Sequence, residues 1–172
     1  MTLLEIVVSM MIISILLAVV IPNLGPMRLK GQLRTASRNV AALIRYARVE
    51  AIYRHRPVKV RIDTESAQYR VDLMLEGRPA RERDGEELEL VEEVRDLPDR
   101  VFFEEVTVYG GERVRRGVVV LDFLPSGTVT PATIVFSDGK GQRMTLDVFG
   151  TTGAVEIYSG EPVEREVTED AG

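Results

Sequence analysis

The chain runs through three hydrophobic rhythms in turn. From Ile6 to Ile21 the positions are apolar on every side, interrupted only by Ser9 and Ser14. From Leu29 the apolar positions Leu29, Leu33, Ala36, Val40, Leu43, Ala47 and Ala51 recur in steps of three and four, one stripe of an amphipathic helix. Past Pro57 the period falls to two: Val58, Val60 and Ile62 alternate with Lys59, Arg61 and Asp63, and Tyr69, Val71, Leu73 and Leu75 alternate with Arg70, Asp72 and Met74. Further strands are predicted at 101–109, 117–124, 132–137, 143–149 and 154–158, separated by Gly110-Gly111, Pro125-Ser126-Gly127, Asp138-Gly139-Lys140-Gly141 and Gly150–Gly153. Residues 76–98 read as a charged loop holding at most one short strand. The pattern predicts an α+β fold, in which a long N-terminal helix with a membrane-spanning first half packs on an antiparallel β-sheet or sandwich. It divides the chain into a hydrophobic helix (1–27), a basic amphipathic helix (28–56), a β-rich domain (57–159) and an acidic tail (160–172) whose composition predicts disorder.

Charge follows the same divisions. Of 172 residues, 22 are Lys or Arg and 27 are Asp or Glu. Between Arg28 and Arg56 eight bases face one acid, Glu50, whereas from Pro57 onward 14 bases face 25 acids. At ~100° per residue, Lys30, Arg34, Arg38, Arg45 and Arg48 fall ~100–180° from the apolar stripe, as a ladder of cations. Three readings of the ladder stay open: a solvated face, a contact for acidic surfaces of neighbouring subunits, or a nucleic-acid surface. The net charge of −5 counts against the last.

Candidate chemistry is sparse. With no Cys and a single His (His55), thiol nucleophiles, Cys-ligated zinc and paired-histidine sites are ruled out. Ser126 in PSG has no base near it in sequence, and Gly110-Gly111 and Gly139-x-Gly141 read as hairpin turns, because no strand-to-helix context surrounds them. The cluster Glu86, Glu87, Glu89, Glu92, Glu93 and the DGKG turn lack the spaced oxygen ligands calcium needs. We expect no catalytic residue, no metal and no cofactor.

The unusual residues stand at the start. Glu5 heads the apolar run with no basic residue inside it, and acids at membrane depth are normally paired; a carboxylate reaching to the interface is the alternative. Pro22 closes the run, followed by Gly25 and Pro26, a weak point in any continuous helix. Met1-Thr2-Leu3-Leu4-Glu5 followed by the apolar run, with proline at 22, resembles the mature N-terminus of type IV pilins and of type II secretion pseudopilins. The stretches LIRYARVEAIYRHRPVKVRID (43–63) and LDFLPSGTVTPATIVFSDGKGQRMTLDVFGTTGAVEIY (121–158) are similar to the helix-end and later motifs of the GspH/FimT-type minor members.

The resemblance implies a structural subunit, a minor pseudopilin or pilin, of a type IV-filament machine serving type II secretion or a related pilus. It implies prepilin-peptidase cleavage before Met1, N-methylation there, and a basic leader already removed. Glu5 would set assembly register against the terminal amine of a neighbour, and Arg34, Arg38, Arg45 and Arg48 would form a contact face. The implied partners are other pilins or pseudopilins, the peptidase, the inner-membrane assembly platform and inner-membrane lipid. The implied location is the inner membrane, single-pass with a periplasmic domain, and the filament after assembly. A DNA-binding competence pilin and a major filament subunit are the alternatives. Ala154-Val155-Glu156, after the final glycine where DNA-binding members carry arginines, counts against the first.

Overall fold

The computed structural model of the protein describes residues 3–20, 24–73, 94–111 and 113–162. Met1, Pro22, the Glu86–Glu93 cluster and the tail beyond Pro162 lie outside them. Two helices come first, α1 (Leu3–Val20) and α2 (Leu24–Arg54). Nine strands follow: β1 (Val58–Asp63), β2 (Gln68–Leu73), β3 (Arg95–Asp96), β4 (Phe102–Val108), β5 (Arg113–Val114), β6 (Val118–Phe123), β7 (Ala132–Ser137), β8 (Arg143–Val148) and β9 (Val155–Ser159). Gly25 and Pro26 fall in the first turn of α2. Proline is tolerated there because the first N–H groups of a helix have no intrahelical acceptor.

The far end of α2 is closed by two backbone bonds, His55 N–H to the Ile52 carbonyl and Arg56 N–H to the Ala51 carbonyl, both 3.3 Å. His55 takes the left-handed conformation (φ 53°) that such closures usually give to glycine. Pro57 follows and cannot continue the helix.

The strands form two antiparallel sheets, ordered β3-β2-β1-β6 and β5-β4-β7-β8-β9. The alternation in β1 is real: Val58, Val60 and Ile62 are buried, and Lys59, Arg61 and Asp63 half-buried. The predicted hairpin of β1 with β2 forms, pairing Val58 with Leu73 through Asp63 with Gln68. The turn between them is held by Asp63 Oδ1, which accepts from the N–H groups of Glu65 (2.9 Å) and Ser66 (3.2 Å). Those bonds, with the Ser66 hydroxyl first among them, hold the Asp63 carboxyl below its ordinary range. In β4 the register slips between Phe103 and Glu105, a bulge at Glu104.

Helix α2 packs against β1, β2 and β6 of one sheet and β7, β8 and β9 of the other. Because it faces both sheets, its buried arc is wider than one stripe. Leu33, Ala36, Val40, Leu43, Ala47 and Ala51 are buried as the spacing predicts, and Ser37, Ala41 and Ile44 are buried beside them. Ser37 is tolerated because its hydroxyl donates back to the Arg34 carbonyl at 3.1 Å. The two sheets meet through rings: Phe103 of β4 lies 6.4 Å from Tyr69 of β2, edge-on, and is backed at 5.4 Å by Phe136 of its own sheet.

Among the described residues no helix is long and apolar enough to cross a membrane. The 18 residues of α1 rise about 27 Å, short of the ~30 Å hydrocarbon core. The expected membrane-spanning first half is therefore not met by α1 as described; the apolar run continues in sequence to Ile21, outside the described residues.

Candidate interaction surface

An isolated apolar helix in water is a liability, and α1 is one. Every described side chain from Leu3 to Ala18 is exposed, and large apolar groups look outward on all sides, from Leu3 at 82% to Val8 at 47%. Apolar patches on soluble monomers rarely exceed a few hundred Å², so this helix requires a cover that the domain does not provide. Its two hydroxyls are already satisfied within the helix, Ser9 donating to the Glu5 carbonyl at 2.7 Å and Ser14 to the Met10 carbonyl at 2.8 Å. The helix thus presents no unmet side-chain donor to an apolar surrounding. Glu5 is its one charged group, exposed in the first turn, where the helix dipole favours an acid. Among the described residues it has no ion-pair partner.

The outer face of α2 extends this apolar character. Ala42, Tyr46, Val49 and Tyr53 are exposed at steps of four, three and four, on the side ~180–200° from the buried arc, with Tyr53 at 80% and Val49 at 63%. The cation ladder does not occupy that opposite side, as the spacing had suggested. It lies on one flank, turned toward β8 and β9, and divides in two.

Its upper members, Lys30, Arg34 and Arg38, are exposed and line an open groove against Gln142, Arg143 and Tyr158. Its lower members are engaged within the domain. Arg45 reaches the Val155 carbonyl at 3.5 Å, and the Nε of half-buried Arg48 donates to the Gly127 carbonyl at 3.1 Å. Arg48 passes between two loops whose glycines make room for it. A Cβ on Gly153 (φ +61°) would lie 2.4 Å from Arg48 Cδ, and one on Gly127 (φ +85°) would lie 3.4 Å from Arg48 Nη2. Arg48 of the helix-end stretch, Gly127 of Pro125-Ser126-Gly127 and Gly153 of the Gly150–Gly153 turn are thus three sides of one clamp. Spacing alone missed it, since the clamp joins Arg48 to residues 79 and 105 positions away.

The remaining candidates are structural. Ser126 Oγ bonds Thr128 Oγ1 at 3.0 Å in a turn. Asp138 Oδ1 closes the DGKG turn by accepting from Lys140 N–H (2.8 Å) and Gln142 N–H (3.0 Å). Glu104 takes a forked pair of bonds from Arg143 (2.6 and 2.7 Å), and the Arg143 bond holds its carboxyl below the ordinary value of 4.5 despite partial burial. Among the described residues no cluster of three or more acidic or His side chains could hold a metal ion.

Residues 36–152 match the family model of GspH, a type II transport protein. The fold is similar to that of the minor pseudopilin EpsH from the type 2 secretion system of Vibrio cholerae, with a TM-score of 0.56 at 16% identity, over 75% of this chain and 97% of that one. It is also similar to the type IV minor pilin FimU of Pseudomonas aeruginosa, with a TM-score of 0.51 at 16% identity, over 75% and 90% of the two chains. No curated protein sequence gives a significant match.

Proposed function

The chain belongs to the GspH family of type II transport proteins, and on that premise we propose that it is a minor pseudopilin or pilin, a structural subunit that assembles through α1. The observation that carries the proposal is α1, all-round apolar and exposed from Leu3 to Ala18, with a single acid in its first turn. A helix of that kind needs lipid or other helices around it, and a filament subunit uses both in succession. In the inner membrane, α1 together with the flanking apolar residues up to Ile21 serves as a single-pass anchor, with the β-domain in the periplasm. In the filament, the same surface packs among the α1 helices of other pilins or pseudopilins. The outward apolar stripe Ala42, Tyr46, Val49 and Tyr53 continues that contact along α2.

Glu5 fits a register role. An unmatched carboxylate in an apolar bundle is costly and a matched one is tolerated, so a neighbour's terminal amine at that depth selects one axial offset. Processing by the prepilin peptidase at Met1, its methylation, and docking to the inner-membrane assembly platform belong to the same reading. So does a weak point of the helix at Pro22 and Gly25. The role is structural and uses no cofactor. Glu5→Val tests it in cells lacking the native copy: the variant should remain in the membrane fraction at wild-type level and be depleted at least about tenfold from filaments, the ratio that ~1.4 kcal/mol produces. Incorporation at the wild-type ratio would refute the register role.

A further inference from the structure

The groove between the upper half of α2 and the β8–β9 edge is charged on one side and open along the other. It encloses about 680 Å³. Lys30, Arg34 and Arg38 line its helix side, and among the described residues none of the three has an ion-pair partner. Gln142 lines the sheet side, and its Oε1 is buried without a donor among the described residues. Among the described residues strand β9 is the last of its sheet, and beyond the Val155 carbonyl, which Arg45 reaches, its outer backbone groups have no neighbouring strand. Among the described residues, three cations without an ion-pair partner, a buried acceptor lacking a donor and a strand edge with no strand beside it together call for an extended acidic segment.

The chain leaves β9 at the mouth of this groove. Ser159 and Gly160 line it, and Glu161 is bonded to Arg143 at 2.6 Å. The sequence then continues VEREVTEDAG, with four acids against one base. Composition alone gives this segment no core to join; the groove offers it charge and a strand edge instead. In extended backbone, alternate residues share a side, which groups Glu164, Glu166 and Asp170 with Thr168. Ten extended residues reach about 33 Å, ample for the ~12 Å that Lys30 to Arg38 spans along the helix. We propose that the acidic segment Val163–Asp170 of the same chain docks along β9 in this groove, with its carboxylates against Lys30, Arg34 and Arg38. Tethering one turn away raises its effective concentration to the millimolar range, so modest charge complementarity suffices.

The chain has no Cys, so Val167→Cys provides a single site for a nitroxide label on the full chain in detergent micelles. At ~50 mM salt the label should be immobilised, and at ~0.5 M salt the immobilised fraction should fall at least about threefold. Arg34→Glu with Arg38→Glu should release it equally at low salt, with thermal unfolding of the domain retained. Adding Glu164→Arg and Glu166→Arg should restore immobilisation. A label already mobile at low salt, or one indifferent to both charge reversals, would overturn the proposal. So would immobilisation that disappears on dilution, which would assign the groove to the tail of a second copy.

Discussion

Replacing Gly153 by alanine tests whether the Arg48 clamp holds the two loops to α2. Two costs follow from the geometry. Gly153 has φ +61°, and holding an L-residue there costs about 1 kcal/mol. The new Cβ would stand 2.4 Å from Arg48 Cδ and 2.6 Å from its Nε, so the side chain must leave and its 3.1 Å bond to the Gly127 carbonyl is lost. A bond from a charged donor is worth about 1.5–3 kcal/mol, toward the low end here because Arg48 is only half-buried. Gly153→Ala alone should therefore cost about 2–4 kcal/mol. In an Arg48→Ala background the clash has no object, and the same change should cost only the backbone part, about 1 kcal/mol. Thermal unfolding of the four proteins, followed by β-sheet circular dichroism in detergent, gives the coupling. A value of about 1–3 kcal/mol is expected, the cost in the native background less the backbone part. Additivity within about 0.5 kcal/mol would mean that Arg48 and Gly153 do not communicate, and the clamp would be refuted.

Other positions give sharper signs. His55→Gly should stabilise the domain by about 1 kcal/mol, because glycine takes the φ of 53° without strain; an unchanged melting temperature would deny that His55 closes the helix in that conformation. Phe136→Ala should cost about 3–5 kcal/mol, since the ring is fully buried and contacts Phe103, and a loss under about 1 kcal/mol would place it outside the core. Glu104, held low by Arg143, contributes stability that is fully present above its ordinary value of 4.5 and is lost as pH falls through the depressed folded value. Glu104→Gln should remove that part of the acid destabilisation and flatten the melting temperature against pH below about 4.5, whereas an unaltered slope would exclude the pair as its source.

The elements that a residue-scale pattern can encode were legible before any coordinate. The shift of period at Pro57, the stripe from Leu33 to Ala51 and the strands β1, β2, β4 and β6 to β9 all stand where alternation and punctuation put them. What alternation cannot encode is which strands pair. Gly110-Gly111 does turn the chain, but into the two-residue β5, while β6 crosses to lie beside β1 in the other sheet. The widened buried arc of α2 followed from its facing both sheets, which no single-stripe template anticipates. The cations were visible and their fates were not. Arg48 sits at the margin of the buried arc, where a long side chain can equally be solvated or clamped. The glycines that decide between these lie far along the chain. Of the residues expected to matter for assembly, Glu5 is described at an exposed first turn, Gly25 lies in the first turn of α2, and Met1 and Pro22 lie outside the described residues.

The central claim is that this chain is built into a filament through its N-terminal helix. Isolating filaments from the native host and quantifying their subunits by mass spectrometry tests it most directly. This chain should be present, substoichiometric to a dominant subunit, and lost from filaments in the Glu5→Val strain while its membrane level holds. Filaments of normal composition that contain none of it, with the whole population remaining in membrane or soluble fractions, would contradict the account.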